Sequence, residues 1–199
     1  PLDAYPDRGL GQLCQLSLRN DPTLPVVVPA NFDYMRRQVS RIVGRTETTV
    51  TIAPGLLFDL PESLCPRLAP AGQRAEHVGV EDLTIDGEDA AAMFGLRIQQ
   101  GHACWAKDVS IRNIANYHLW IGDSIHCEVR RCRIETRKGS GSNGAGILFG
   151  TSSFCLIEDN IIVEQFPHIE VNGSSGNVFA YNFCHDSTVG DLLGCSICS

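Results

Sequence analysis

The chain is poor in the residues that build large, ring-filled cores. Aromatics make up 7% of its 199 residues, with two tryptophans and two methionines. Such a core is filled by small aliphatic side chains. No apolar run approaches the roughly 18 residues that a membrane-spanning helix requires. No segment repeats apolar residues three and four apart over ten positions, so a helical fold is not expected. Sixteen basic residues against 23 acidic ones give a net charge of −7, and the lysines and arginines are scattered. Phosphate binding needs a concentrated basic surface, which excludes nucleic acid as the expected partner. The chain opens on Pro1-Leu2-Asp3 without a charged-then-apolar leader, and the expectation is a secreted or cell-surface protein whose leader is not in this chain. Phosphate-loop, GxSxG and HExxH patterns are missing, which removes the common nucleotide, serine-hydrolase and zinc-protease signatures.

What the chain does have is an internal repeat. Residues 78–85, 104–111, 127–134, 155–162 and 177–184 superpose position by position, at offsets of 26, 23, 28 and 22. A second segment recurs between them, at Gly95–Ile98, His118–Ile121, Gly146–Phe149 and His168–Val171, with offsets of 23, 28 and 22. Two independent segments keeping one spacing indicate a solenoid. Apolar residues alternate with polar ones within each unit, so the units are half-buried strands. Stacking at about 4.8 Å per coil turns equivalent positions into ladders. Two inward ladders read Val80, Ala106, Val129, Ile157, Phe179 and Ile85, Ile111, Ile134, Ile162, Cys184. A third, Leu83, Val109, Cys132, Asn160, Asn182, ends in an expected asparagine stack at a bend.

These coils, with phrases such as Ile157-Glu-Asp-Asn-Ile161 and Gly176-Asn-Val-Phe-Ala-Tyr-Asn182, resemble the pectin-lyase-like superfamily of right-handed parallel β-helices. The fold expected is all-β: about five coils over residues 76–199, preceded by a non-repeating β-hairpin and loop segment, residues 1–75, packed on the solenoid. The hairpin is expected from the alternating stretches Arg37–Val43 and Thr48–Ile52, separated by Gly44–Glu47. The resemblance implies a carbohydrate-active protein, a pectate-lyase-like lyase, a hydrolase or an epimerase. It equally admits a non-catalytic glycan-binding or structural module of tailspike or cell-surface type. The fifth coil breaks off at Ser199 without a polar cap, and open sheet edges associate. Truncation from a larger protein, or oligomer contact through the solenoid ends, is therefore expected.

Nine cysteines would suggest a disulfide framework. Cys104, Cys127 and Cys155 instead share one rung position with Val78 and Asn177, the interchange expected of buried small hydrophobes. Cys132 reads the same way. Cys14 and Cys65 are free to pair, and Cys195-Ser-Ile-Cys198 is a lone CxxC with no second half for a zinc site.

The candidate site lies on the second segment. Its outward ladders are expected to be Gly95, His118, Gly146, His168 and Arg97, Trp120, Leu148, Glu170. His118, His168 and Glu170 are the candidate acid–base groups. Trp120 would stack on a sugar ring, with Arg97 and the loop residues Arg137 and Lys138 as further substrate contacts. No cofactor is expected apart from calcium, should the chemistry be that of a lyase. The ladder Asp82, Asp108, Asp159 is its nearest approach to a calcium cluster, and Arg131 interrupts it.

Overall fold

The computed structural model describes residues 10–21, 36–72, 75–87, 92–136, 145–165 and 167–186. Over the described residues between 75 and 186 the backbone winds as a parallel β-solenoid whose coils turn at single residues in the left-handed conformation. One corner is formed by Asp82, Asp108, Arg131, Asp159 and Tyr181, with φ between 51° and 57°. A second is formed by His77, Ala103, His126, Phe154 and Gly176. Left-handed backbone costs a non-glycine residue about 1–2 kcal/mol. Here each corner N–H continues the ladder into the next coil, as in Asp108 to the Arg130 carbonyl at 3.1 Å and His126 to the Ser153 carbonyl at 3.2 Å. Aspartate is among the residues that tolerate this conformation best, which accounts for its recurrence at the first corner.

Three parallel sheets run along the solenoid. The first contains β6 (Gly79–Glu81), β10 (Trp105–Lys107), β13 (Glu128–Arg130), β16 (Leu156–Glu158) and β19 (Val178–Ala180). The second contains β7 (Thr84–Asp86), β11 (Ser110–Arg112), β14 (Arg133–Glu135), β17 (Ile161–Val163) and β20 (Phe183–His185). The third contains β8 (Phe94–Gln99), β12 (Tyr117–Gly122), β15 (Ile147–Gly150) and β18 (Ile169–Asn172). A fourth side is begun by β5 (Ala75–Glu76) paired with β9 (Gly101–His102), and single bridges continue it through Ile125, Ser153 and Ser175. The register is the one expected from the repeat. Val80, Ala106, Val129, Ile157 and Phe179 are successive partners, and so are Leu96, Leu119, Ile147 and Ile169.

The inward ladders fill the interior with Ile, Val, Leu and Cys around Phe149, which is fully buried and meets Phe179 edge-on at 5.5 Å. Burial is deepest in the middle coils. The first coil is less covered: Val78 is 57% exposed at a rung position where Cys104, Cys127 and Cys155 are buried. The asparagine stack is present. Asn160 Nδ2 donates to Asn182 Oδ1 at 2.9 Å and to the Val129 carbonyl at 3.0 Å, while its Oδ1 accepts from the Cys132 N–H at 2.9 Å. Each amide satisfies backbone groups that the bend leaves without ladder partners.

A four-stranded antiparallel sheet in the order β3-β2-β1-β4 precedes the coils. Its strands are β1 (Leu13–Leu18), β2 (Arg36–Arg45), β3 (Val50–Ala53) and β4 (Arg67–Pro70). The expected hairpin is its β2–β3 pair, with a register shift between Ile42 and Gly44. The sheet packs on the solenoid through Leu13, Val39 and Ala71 against Ile125 and Phe154. The Val39 N–H donates to Ser153 Oγ at 2.9 Å, and Arg37 Nη1 to Thr151 Oγ1 at 3.0 Å. No helix among the described residues is long and apolar enough to cross a membrane.

Cys104, Cys127, Cys132 and Cys155 are free and buried, as their rung positions require. Cys184 packs against the same cluster and is disulfide-bonded; Cys195 and Cys198 lie outside the described residues. The pairing considered for Cys14 and Cys65 does not occur. Cys14 faces inward on β1 with its thiol on the Ser40 carbonyl, whereas Cys65 is exposed after the 3₁₀ turn Glu62–Leu64. Burial pushes the Cys14 thiol up to about 11 and raises those of Cys104 and Cys132. Reactivity follows exposed thiolate. Mapping by peptide mass should therefore find Cys65 alkylated at pH 7.5 well before Cys14, Cys104, Cys127, Cys132 and Cys155, which react only on unfolding. Equal labelling rates would contradict this packing.

Candidate functional surface

Parallel pairing places Arg97, Trp120, Leu148 and Glu170 on successive rungs of the third sheet, the outward ladder expected from the sequence. Gln99, Gly122, Gly150 and Asn172 form the next outward ladder along the same strands. The two glycines let Trp120 lie down on the sheet. A Cβ built at Gly122 or Gly150 would stand 3.0 or 3.1 Å from the indole Nε1. Phe94 stacks on Trp120 at 5.2 Å between centroids and on Tyr117 at 5.8 Å. The Arg97 guanidinium lies 3.9 Å from the indole centroid and 5.6 Å from that of Phe94.

This stack fixes a long cationic side chain without consuming its donors. Among the described residues Arg97 makes no hydrogen bond or ion pair, and it is exposed. A guanidinium held flat on an aromatic ring keeps its N–H fork at the rim, suited to paired oxygens of a ligand. Two carboxyl groups flank the stack. Glu170 Oε1 accepts from Asn172 Nδ2 at 2.6 Å, and its charge helps raise the Tyr117 phenol, which burial raises more. Asp123, at the corner after β12, is half-buried. Burial raises its carboxyl above the usual aspartate range, while a hydrogen bond from Gln99 and the charges of Arg37 and Arg97 pull it back. The sequence reading missed Asp123 and Arg37, since a corner residue and a strand of the preceding sheet carry no repeat signal toward this face.

Two expected site residues face elsewhere. His118 and His168 are buried, at 0% and 5% exposure, and do not share the outward surface with Trp120 and Glu170. His118 is the second residue of β12 and His168 directly precedes β18, so both lie where the coil is still turning. Thr136 Oγ1 lies 3.3 Å and Gln165 Nε2 3.4 Å from His118 Nε2, and Gln165 also donates to Thr136. His168 Nε2 donates to the His185 carbonyl at 3.1 Å. The glycine between the two histidines leaves no room for a ligand either: a Cβ at Gly146 would stand 2.8 Å from the His168 carbonyl oxygen. Glu170 bonds Asn172 and orients neither imidazole. Arg137 and Lys138 lie outside the described residues.

The aspartate corner does not gather carboxylates for calcium. Arg131 donates to Asp108 through Nε at 2.8 Å and Nη2 at 2.6 Å, and this contact holds the Asp108 carboxyl below its usual range. Those oxygens already carry a cation.

No protein-family model matches the chain, and no curated protein matches it. Among solved structures, the crystal structure of the Pseudomonas phage phi297 tailspike gp61 matches with a TM-score of 0.60 at 12% identity, over 86% of this chain and 27% of the tailspike. The solenoid is similar to that of a phage tailspike. At that identity the likeness is one of fold, and the chain spans about a quarter of the tailspike's length.

Proposed function

We propose that the outward face of the third sheet recognises an extended polysaccharide. The observation that carries this reading is the Arg97 guanidinium held at 3.9 Å on Trp120, its donors unspent, in a stack continued by Phe94 and Tyr117. Such a row offers apolar ring surface for sugar faces and a fork for a carboxylate or a pair of hydroxyls. An acidic glycan gains most from it. Similarity to a tailspike and resemblance to pectin-lyase-like β-helices support the same reading. So does the parallel stacking, since it repeats binding positions at about 4.8 Å, allowing one chain to span several coils. A glycan partner fits the expectation of a secreted or cell-surface protein.

Hydrolysis is the second reading, favoured by the raised carboxyl of Asp123 beside the stack. A carboxyl that burial raises above the usual aspartate range suits protonation of a leaving oxygen, and Glu170 supplies the second carboxyl such chemistry uses. Catalysis by His118 or His168 is not part of the proposal, because a buried imidazole reaches no polymer.

The test is a panel of uronate-containing and neutral polysaccharides, each immobilised for retention and also incubated in solution. Retention without new reducing ends is the result expected for recognition. Reducing ends that disappear in Asp123→Asn and Glu170→Gln would establish the hydrolase. Unsaturated uronate products would revive the lyase, and neither retention nor product would overturn the proposal.

A further inference from the structure

The fourth side of the solenoid, begun by β5 and β9, carries a second cluster that the glycan reading does not use. Parallel pairing of β5 with β9 sets Glu76 beside His102, and His77 occupies the corner directly after Glu76. Glu76 Oε1 lies 2.7 Å from His102 Nδ1 and 3.7 Å from His77 Nε2, and one donor atom from each residue falls within 4.8 Å of the other two. On the next coil the corner position of His77 is taken by Ala103, directly after His102. That ring stands 5.6 Å from His77 and 6.0 Å from His126, edge-on to both. Arg41, tied by its Nε to the Gly11 carbonyl at 2.7 Å, brings Nη1 to 3.2 Å from the same Glu76 oxygen.

We propose that Glu76, His77 and His102 form a binding site for a transition-metal ion, with Zn²⁺ as the expected occupant. Two imidazoles and one carboxylate suit zinc better than calcium or magnesium, which favour all-oxygen sets. Bonds of about 2.0–2.1 Å in a tetrahedron hold donor atoms about 3.3 Å apart, and the present separations bracket that value. His77 is exposed and free to rotate inward. With three protein ligands, the fourth position belongs to water. Arg41 shares the Glu76 oxygen that a metal would take, so the two cations compete for it.

The site links the first coil to the second on the side where strand pairing is short. β5 and β9 pair over two residues only, and Val78 beside them is largely exposed. A metal bound there stabilises the folded state by mass action, because the unfolded chain does not present the three ligands together.

The experiment titrates Zn²⁺ alone into the whole chain by calorimetry at pH 7.5 and repeats the titration with Co²⁺ by absorption. One saturable site is expected, with a rise in melting temperature and a Co²⁺ spectrum lacking thiolate charge-transfer bands. His102→Ala and Glu76→Gln should each weaken binding by about tenfold or more, and His126→Ala by less than about threefold. Arg41→Gln removes the competing cation and should tighten binding. Circular dichroism verifies that each variant is folded. Thiolate bands in the Co²⁺ spectrum would move the metal to the cysteines and overturn the assignment. So would absence of saturable binding, or undiminished binding by folded His102→Ala and Glu76→Gln. Polysaccharide retention is read separately and is unaffected by either result.

Discussion

Acidification from pH 7 to pH 4 is expected to remove about 3 kcal/mol of stability through His118 alone. Its ring is fully buried, and burial lowers its pKa from 6.5 to about 4, the Glu135 backbone offsetting this only in part. The folded state therefore prefers the neutral ring. The unfolded chain takes up a proton as the pH falls through 6.5, and the folded chain does not follow until about 4. The contribution is intact above pH 6.5, falls by about 2 kcal/mol by pH 5 and reaches its full loss near pH 4. Burial shifts His126 and His168 in the same direction and so with the same sign. Asp123, raised by burial, works in the opposite sense over the acidic part of the range, since its protonation relieves a buried charge. Urea unfolding of the protein and of His118→Gln at pH 7 and pH 5 isolates the histidine. The variant should lose about 2 kcal/mol less than the parent on acidification. Equal losses would show that the ring is hydrated, contrary to the packing by Thr136 and Gln165.

The coils were legible because parallel stacking imposes one spacing on independent segments. The partners of Ala106, Val129 and Ile157 follow directly from offsets of 26, 23, 28 and 22. The buried cysteines were legible for the same reason: position in a rung outranks residue type, so Cys104 behaves as the valine of another coil would. The outward positions expected for the histidines fail because alternation holds within a strand and weakens at its entry, where the chain is still rounding a corner. There the side chain of His118 meets Thr136 and Gln165 of neighbouring coils, residues 18 and 47 positions away in sequence, instead of solvent. Asp123 and His77 escaped notice because they sit at corners, Glu76 and His102 because their strands are only two residues long, and Arg37 and Arg41 arrive from a sheet that has no repeat at all. The strand ladder of Arg97, Trp120 and Glu170 was readable, but the stacking of Arg97 on Trp120 was not, since it depends on the open space that Gly122 and Gly150 leave.

A polysaccharide retained by this protein should lose its grip when the stack is removed. Trp120→Ala takes away the indole and the support that holds Arg97 flat. Arg97→Ala takes away the free donor fork. Neither side chain belongs to the inward ladders or to the ion pairs between coils, so the solenoid should keep its fold. Aromatic and arginine anchors typically carry the largest truncation effects at a binding surface, and the double variant is expected to bind about 100-fold more weakly, or about 2.7 kcal/mol. Arg133 provides the control. It is an exposed arginine on β14 of the second sheet, paired with Glu135 at 2.8 Å, and its loss removes the same charge from a different face. The decisive measurement is the dissociation constant of the retained polysaccharide for the parent, Trp120→Ala/Arg97→Ala and Arg133→Ala, taken at one ionic strength. The account predicts a loss near 100-fold in the double variant, with Arg133→Ala within about twofold of the parent. Equal weakening by both, or retention of full affinity by the double variant, would contradict a glycan site on the third sheet.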